Sequence, residues 1–281
     1  MQENTQTIET PHPLFDTELV HNRHARALNQ NFKKHAFLFD LAEKDTLDRL
    51  KLVKRKFSEP AFIGTRQAGF VTNHLPKHTI LPRCENLNLP PASHDLILST
   101  LDLHTANDLV GALIQIRRGL VDDGLFMGSL FGGQTLHELR QVLMMAESEL
   151  YGGVSPRVSP MIDVKDLSAL MQRAGFALPV IDFERVRVSY SDIYSLMRDL
   201  RGMGETSVIS ERSRKPVSKK FFDLANSFYK ELFADKDGRI EATFEILFVL
   251  GWAPSSTQQK PCQRGSATHN LADFLDGDHN D

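Results

Sequence analysis

Residues 95–101 read Asp-Leu-Ile-Leu-Ser-Thr-Leu, an apolar run too short for a helix and too hydrophobic for an edge strand. Such a run predicts a strand buried on both faces, the kind that parallel sheets contain. The chain then repeats a pattern. Asn107 and Asp108 are candidate caps of a helix, and Leu109, Leu113, Ile116 and Leu120 fall on one face of it before an Asp123-Gly124 turn. A second apolar strand at 125–131 leads through Gly132-Gly133 into a further helix ending near Leu150. Strand, helix, strand, helix in that order predicts a parallel sheet covered by helices on both faces.

Outward from this core, residues 14–56 carry a charged helical pattern with Leu38, Leu41, Leu47, Leu50 and Val53 as its apolar stripe. Two helices ahead of the first strand are expected. Residues 60–75, PAFIGTRQAGFVTNHL, predict a short strand running into a glycine-bearing turn and a helix, which is where a nucleotide-binding turn would lie. Downstream, Asp163 caps a helix carrying Val164, Leu167, Met171 and Ala174 and closed by Gly175, and a strand follows through Val188. A mostly helical stretch, 190–235, precedes the last strand at 243–252. An insertion beside the strand ends of an α/β sheet commonly forms a lid or substrate wall. Residues 1–13 and 255–281 lack an apolar period and read as a flexible arm and tail, leaving 14–254 as one folded domain.

Composition narrows the function classes. A chain of 281 residues with net charge −3 and no apolar run near membrane-span length gives no support to nucleic acid or a bilayer as partner. Cys84 and Cys262 lack a CxxC spacing, so neither a disulfide framework nor a metal site is expected. The first twenty residues hold Glu3, Glu9, Asp16 and Glu18 and no arginine, unlike a mitochondrial presequence, and lack the apolar core of a signal peptide. The expected location is the bacterial cytoplasm.

Six blocks carry a family likeness: DLILSTLDLHTANDL (95–109), LFGGQTLHELR (130–140), GGVSPRVSP (152–160), LMRDLRGMGE (196–205), DGRIEATFEI (237–246) and QRGSAT (263–268). With LFDTELVHNRHARAL (14–28) as an opening helix, the chain resembles the methyltransferase-like family of mitochondrial complex I assembly factor 5 and its bacterial relatives. More distantly it resembles the malonyl carrier-protein methyltransferases of biotin synthesis. The resemblance implies a class I methyltransferase fold, a Rossmann-like three-layer α/β sandwich with S-adenosyl-L-methionine (AdoMet) as cofactor. It implies action on a protein or carrier-linked substrate, with a respiratory complex I subunit as partner; arginine hydroxylation is also assigned within the family.

The front end departs from that family. Where the first strand should read approximately LDLGCGxG, this chain has Phe62-Ile63-Gly64-Thr65-Arg66-Gln67-Ala68-Gly69, with Ile63 for the aspartate and Thr65 and Gln67 for the first two glycines. Residues 76–86 are too few for the strand, helix and strand that should follow, because a crossover with its helix takes about ten to twelve residues before strands are counted. The expected sheet is therefore truncated, with fewer than seven strands and no ribose-binding acid. Arg66 or Gln67 is expected to fill the space that the cofactor would take.

Each candidate residue has a functional and a plain reading. On the cofactor side, Gly64 and Gly69 form either a cradling turn or an ordinary tight one, and Cys84 and Glu85 either face an adenine or lie in a surface loop. Leu101 ends the central strand, and His104 matches the histidine of the family's LHWxNDL motif, as a base, a hydrogen-bond donor or a structural residue. Thr105 replaces that motif's tryptophan. On the substrate side stand Gly132, Gly133 and Arg140 after the second strand, and Arg157 and Ser159 in a polar loop. Arg201 and Glu205 flank the Gly202-Met203-Gly204 helix end and either bind a peptide or pair with each other. The basic group Arg212, Arg214, Lys215, Lys219 and Lys220 attracts an acidic partner or is a solvated face. Two functions follow: an AdoMet-dependent methyltransferase-family enzyme, or a pseudoenzyme scaffold that kept its substrate face after losing its cofactor face.

Overall fold

In the computed structural model, residues 12–64, 66, 75, 78–259 and 265–266 are described; Gly69, most of the arm and most of the tail lie outside them. Asp16 accepts a hydrogen bond from the Leu19 amide and starts α1 (Thr17–Asn29). Asn31, at φ 65°, then turns the chain into a single-turn α2 (Phe32–His35) and on to α3 (Phe37–Leu52). Three helical pieces thus stand where the pattern predicts two, because Asn31 takes the left-handed conformation open to asparagine. The leucine stripe is also corrected. The buried face of α3 is Leu38, Phe39, Ala42, Glu43 and Thr46, which includes two polar residues.

The remaining elements are β1 (Pro60–Ile63), β2 (Thr79–Leu81), β3 (His94–Thr100), α4 (Leu109–Gly119), β4 (Leu120–Phe131), α5 (His137–Tyr151), α6 (Val164–Arg173), β5 (Ala177–Tyr190), α7 (Ile193–Met203), α8 (Lys219–Phe233) and β6 (Ile240–Trp252). Asp108 caps α4 through the Gly111 amide at 2.8 Å, as expected. Asn107 does something else: its side chain accepts from the Phe15 amide at 2.8 Å and donates to the Phe15 carbonyl at 3.0 Å, fastening the start of the chain to the sheet end. The α4 helix stops at Gly119, ahead of the Asp123-Gly124 turn, because Leu120 already pairs with His94 as part of β4.

The sheet order is β2-β1-β3-β4-β6-β5. The first four strands are mutually parallel, whereas β6 runs antiparallel to both β4 and β5. A wholly parallel sheet is therefore not what forms. The two helices between β5 and β6 return the chain to the end of the sheet where β5 finished, so β6 can only run back. Residues 82–93 contain no helix, so one helical crossover and its strand are missing there, and the sheet has six strands among the described residues. No helix among the described residues is long and apolar enough to cross a membrane.

Period-two alternation distributes the core. Ala61 and Ile63 of β1, Ile97 of β3 and Phe126 and Leu130 of β4 meet Leu113 and Ile116 of α4 and Leu167 and Met171 of α6. Their neighbours Phe62, Leu96, Leu98, Leu125 and Met127 face the other way, toward Leu50 and Val53. A third cluster joins α3, α5, α7 and α8 to Phe244, Ile246 and Phe248 of β6 and reaches Leu101 and Phe131.

Glu43 of α3 is buried against that helical layer. Its Oε1 is buried without a hydrogen-bond partner, and burial raises its carboxyl to about 8. A carboxyl raised in the folded state binds more protons there than in the unfolded chain, so stability falls as pH rises from about 4.5 toward 8. Glu43→Gln is expected to remove that decline and to raise the urea midpoint at pH 8; an unchanged midpoint-against-pH profile would contradict the assignment.

Candidate functional site

β1 is flanked by β2 on one side and β3 on the other, so the topological switch point of the sheet lies at the carboxyl ends of β1 and β3, where open α/β sheets bind ligands. Gly64 follows β1 at φ 120° and donates to the Leu81 carbonyl at 2.9 Å. The Asp102 carboxylate lies directly over it: a Cβ at Gly64 would sit 2.1 Å from Asp102 Oδ2, so both the backbone angle and the contact require glycine.

Arg66 crosses this point with its side chain only 1% exposed. Its Nη2 donates to the Leu101 carbonyl at 2.6 Å and to Asp102 Oδ1 at 3.2 Å. Its Nη1 donates to the Met203 carbonyl at 3.1 Å and pairs with Glu205. The guanidinium also lies over the Phe39 ring, 4.6 Å from the centroid. The other Glu205 oxygen is 2.9 Å from His104 Nε2, and the His104 ring meets Phe131 edge-on at 5.0 Å. His24 of α1 completes the group, its Nδ1 3.6 Å from Asp102 Oδ1.

The RGMGE block explains how Glu205 arrives there. Gly204, at φ 85°, ends α7 in the left-handed conformation, and the Glu205 amide returns to the Leu200 carbonyl at 2.8 Å, closing a Schellman-type cap. The chain thereby reverses, and the Glu205 side chain turns into the protein, where it pairs with Arg66 and His104 and not with Arg201.

Burial disfavours both carboxylates, but the outcomes differ. For Glu205, His104 and Arg66 outweigh burial and hold the carboxyl well below the usual range. For Asp102, burial outweighs Arg66 and Arg83, and the carboxyl is raised. His24 is kept neutral by burial and by the Arg66 charge. The two acids around one guanidinium are therefore not equivalent.

This arrangement does not fit AdoMet. The backbone approach at Gly64, which the cofactor's methionine end needs, is taken by the Asp102 carboxylate, and the crevice beside it by Arg66. At the end of β2, where a ribose-binding acid belongs, stand Leu81, Pro82 and a buried Arg83 whose Nε and Nη1 have no hydrogen-bond partner. Cys84 and Glu85 lie in the loop that follows, with Glu85 Oε1 3.3 Å from the Asn107 amide and side chain.

The substrate-side candidates are brought together differently. Arg157, Ser159, Arg201 and Glu205 line one cavity of about 300 Å³, with Thr105 and His24 in its wall. Arg157 lies over the Phe221 ring at 4.7 Å and bonds Glu147 at 2.6 Å. Gly133 and Arg140 line a neighbouring cavity of about 500 Å³ that shares Arg157. Gly132 is a strand-end residue whose amide donates to the Glu245 carbonyl at 2.7 Å. Asp102 and His24 were not singled out by sequence reasoning. A charged residue immediately after the 95–101 strand was the available signal for Asp102, and the opening-helix block for His24.

The strand order and its helical layers define a class I methyltransferase-type α/β fold. The chain belongs to the NDUFAF5 family: it is 35% identical over 288 residues to the Mus musculus protein named arginine-hydroxylase NDUFAF5, mitochondrial, covering 93% of this chain and 83% of that one. Against the Danio rerio and Dictyostelium discoideum proteins of the same name the identities are 41% and 43%, over 72% and 65% of this chain. Those alignments span 63% and 42% of the relatives' own length. A malonyl-[acyl-carrier protein] O-methyltransferase of Methylovorus is 31% identical over 66% of this chain and 60% of its own. Among solved structures, the YcgJ protein of a Bacillus species matches with TM-score 0.48 and 12% identity, over 74% of this chain and 97% of that one. No protein-family model matches.

Removing one partner of a buried ion pair leaves an uncompensated charge and costs about 3–5 kcal/mol. Arg66→Met, which leaves Asp102 and Glu205 facing each other, is expected to lower unfolding free energy by that amount in urea titrations. A loss under about 1 kcal/mol, the level of an exposed pair, would contradict the buried network.

Proposed function

We propose that this chain is a non-catalytic member of its family, an assembly protein of the bacterial cytoplasm that has lost its cofactor face and kept its substrate face. The observation that carries the reading is the buried Arg66 guanidinium spanning Leu101, Asp102, Met203 and Glu205 at the switch point. A cofactor entering there must break four bonds to a desolvated cation, and each buried group left unpaired opposes it. The client it engages is a protein, a respiratory complex subunit by family likeness, on the face where Arg157, Ser159, Arg201 and Glu205 gather. α7 and α8 form the wall over that face. The hydroxylase and methyltransferase names belong to the relatives, and no chemical step is assigned to this chain.

Titration calorimetry with AdoMet and with S-adenosylhomocysteine tests the reading. The expected result is no saturable heat up to about 1 mM ligand. Micromolar binding of either would overturn it.

A further inference from the structure

The cavity beside the network has an uneven electrostatic wall. Its body is apolar, formed by Leu139, Leu143, Met161, Met197, Leu200 and Phe222. Arg201 lines it on α7, and among the described residues its guanidinium has no ion pair or hydrogen bond, unlike that of Arg157, which is matched by Glu147. On α1, which packs against the end of α7 at Gly204, stand two more arginines. Arg23 donates to the carbonyl of Ser207, a residue of the cavity wall, and Arg26 has a buried Nε without a partner.

These cations oppose one another. Burial first, then Arg212 and Arg26, lowers Arg23 to about 10; burial and then Arg201 lower Arg26. The acid that acts on Arg23 is Asp16, which is already committed to the α1 cap and to Arg212 at 3.3 Å. Arg201 in the cavity wall, Arg23 bonded to the wall residue Ser207, and Arg26 one turn further along α1 form a group of cations that an anion relieves.

We propose that the cavity and the Arg23–Arg26–Arg201 cluster form one binding site for an alkyl-chain anion, its apolar body in the cavity and its carboxylate or phosphate head on Arg201 and the two α1 arginines. A volume of about 300 Å³ lies at the small end of ligand pockets and holds a body of about ten heavy atoms at ~30 Å³ each. Glu205, committed to Arg66 and His104, does not compete for the arginines. This inference deepens the reading of a retained substrate face, but it fails separately from it. AdoMet binding would leave the cavity site standing, and silence toward alkyl anions would leave the closed crevice standing.

The test is titration of the full chain, followed by NMR or calorimetry, with decanoate, decyl phosphate and decanol. At least one of the two anions is expected to saturate a single site below about 1 mM and to bind at least about tenfold more tightly than decanol. The anion that binds better identifies the head. Arg201→Gln, at an exposed position that leaves the thermal midpoint unchanged, is expected to remove that advantage, and Leu143→Trp to abolish binding of all three by filling the cavity. Equal binding of decanol and both anions, no saturable binding of either anion, or an undiminished anion advantage in Arg201→Gln would overturn the proposal.

Discussion

A guanidinium withdrawn from water must have its charge met by the protein, and in this chain that demand organises the end of the sheet through Nη1 and Nη2 of Arg66, while its Nε has no hydrogen-bond partner among the described residues. Arg66 is met by a strand-end carbonyl, a helix-end carbonyl, two carboxylates and an aromatic face. These come from α3, from the end of β3 and from the cap of α7, so one side chain ties together segments separated by well over a hundred residues. The local features that look arbitrary alone then acquire reasons. Gly64 makes room for Asp102, Leu101 at φ 46° belongs to the turn whose carbonyl Arg66 bonds, and Gly204 reverses the chain so that Glu205 points inward.

The same network separates two regions that share a wall. On one side lies the position where a doubly wound sheet receives a nucleotide, now occupied by the protein's own ions. On the other lies an apolar cavity bounded by helices of the 190–235 insertion, with Glu205, His24 and Thr105 between the two. Losing a crossover and strand between β2 and β3 does not unravel the sheet, because β1 keeps β3 as its neighbour and packs Ala61 and Ile63 against the α4–α6 layer. At the carboxyl end of β2, Leu81, Pro82 and Arg83 stand in place of an acid.

Much of this was legible in the residues. Apolar runs at 95–101 and 125–131 are strands because, after Asp95, no charge and only small hydroxyl side chains interrupt them, and Asp108 and Asp163 cap the helices that follow. The shortened front end followed from counting residues against what a crossover needs; of the two expected fillers, Arg66 stands at the switch point and Gln67 lies outside the described residues. The direction of β6 did not, since it depends on where α7 and α8 leave the chain. Nor did the inward turn of Glu205, because a glycine-flanked helix end permits either a partner in Arg201 or one across the fold. Glu43 was hidden by a leucine stripe that reads equally well on an adjacent face.

The account stands on Arg66 holding the switch point against a nucleoside. A crystal structure grown with millimolar S-adenosylhomocysteine tests this most directly. The expected result is the Arg66 guanidinium against the Leu101 carbonyl and the Asp102 carboxylate, with no nucleoside between the ends of β1 and β3. A nucleoside seated there with Arg66 swung out of the crevice would contradict it.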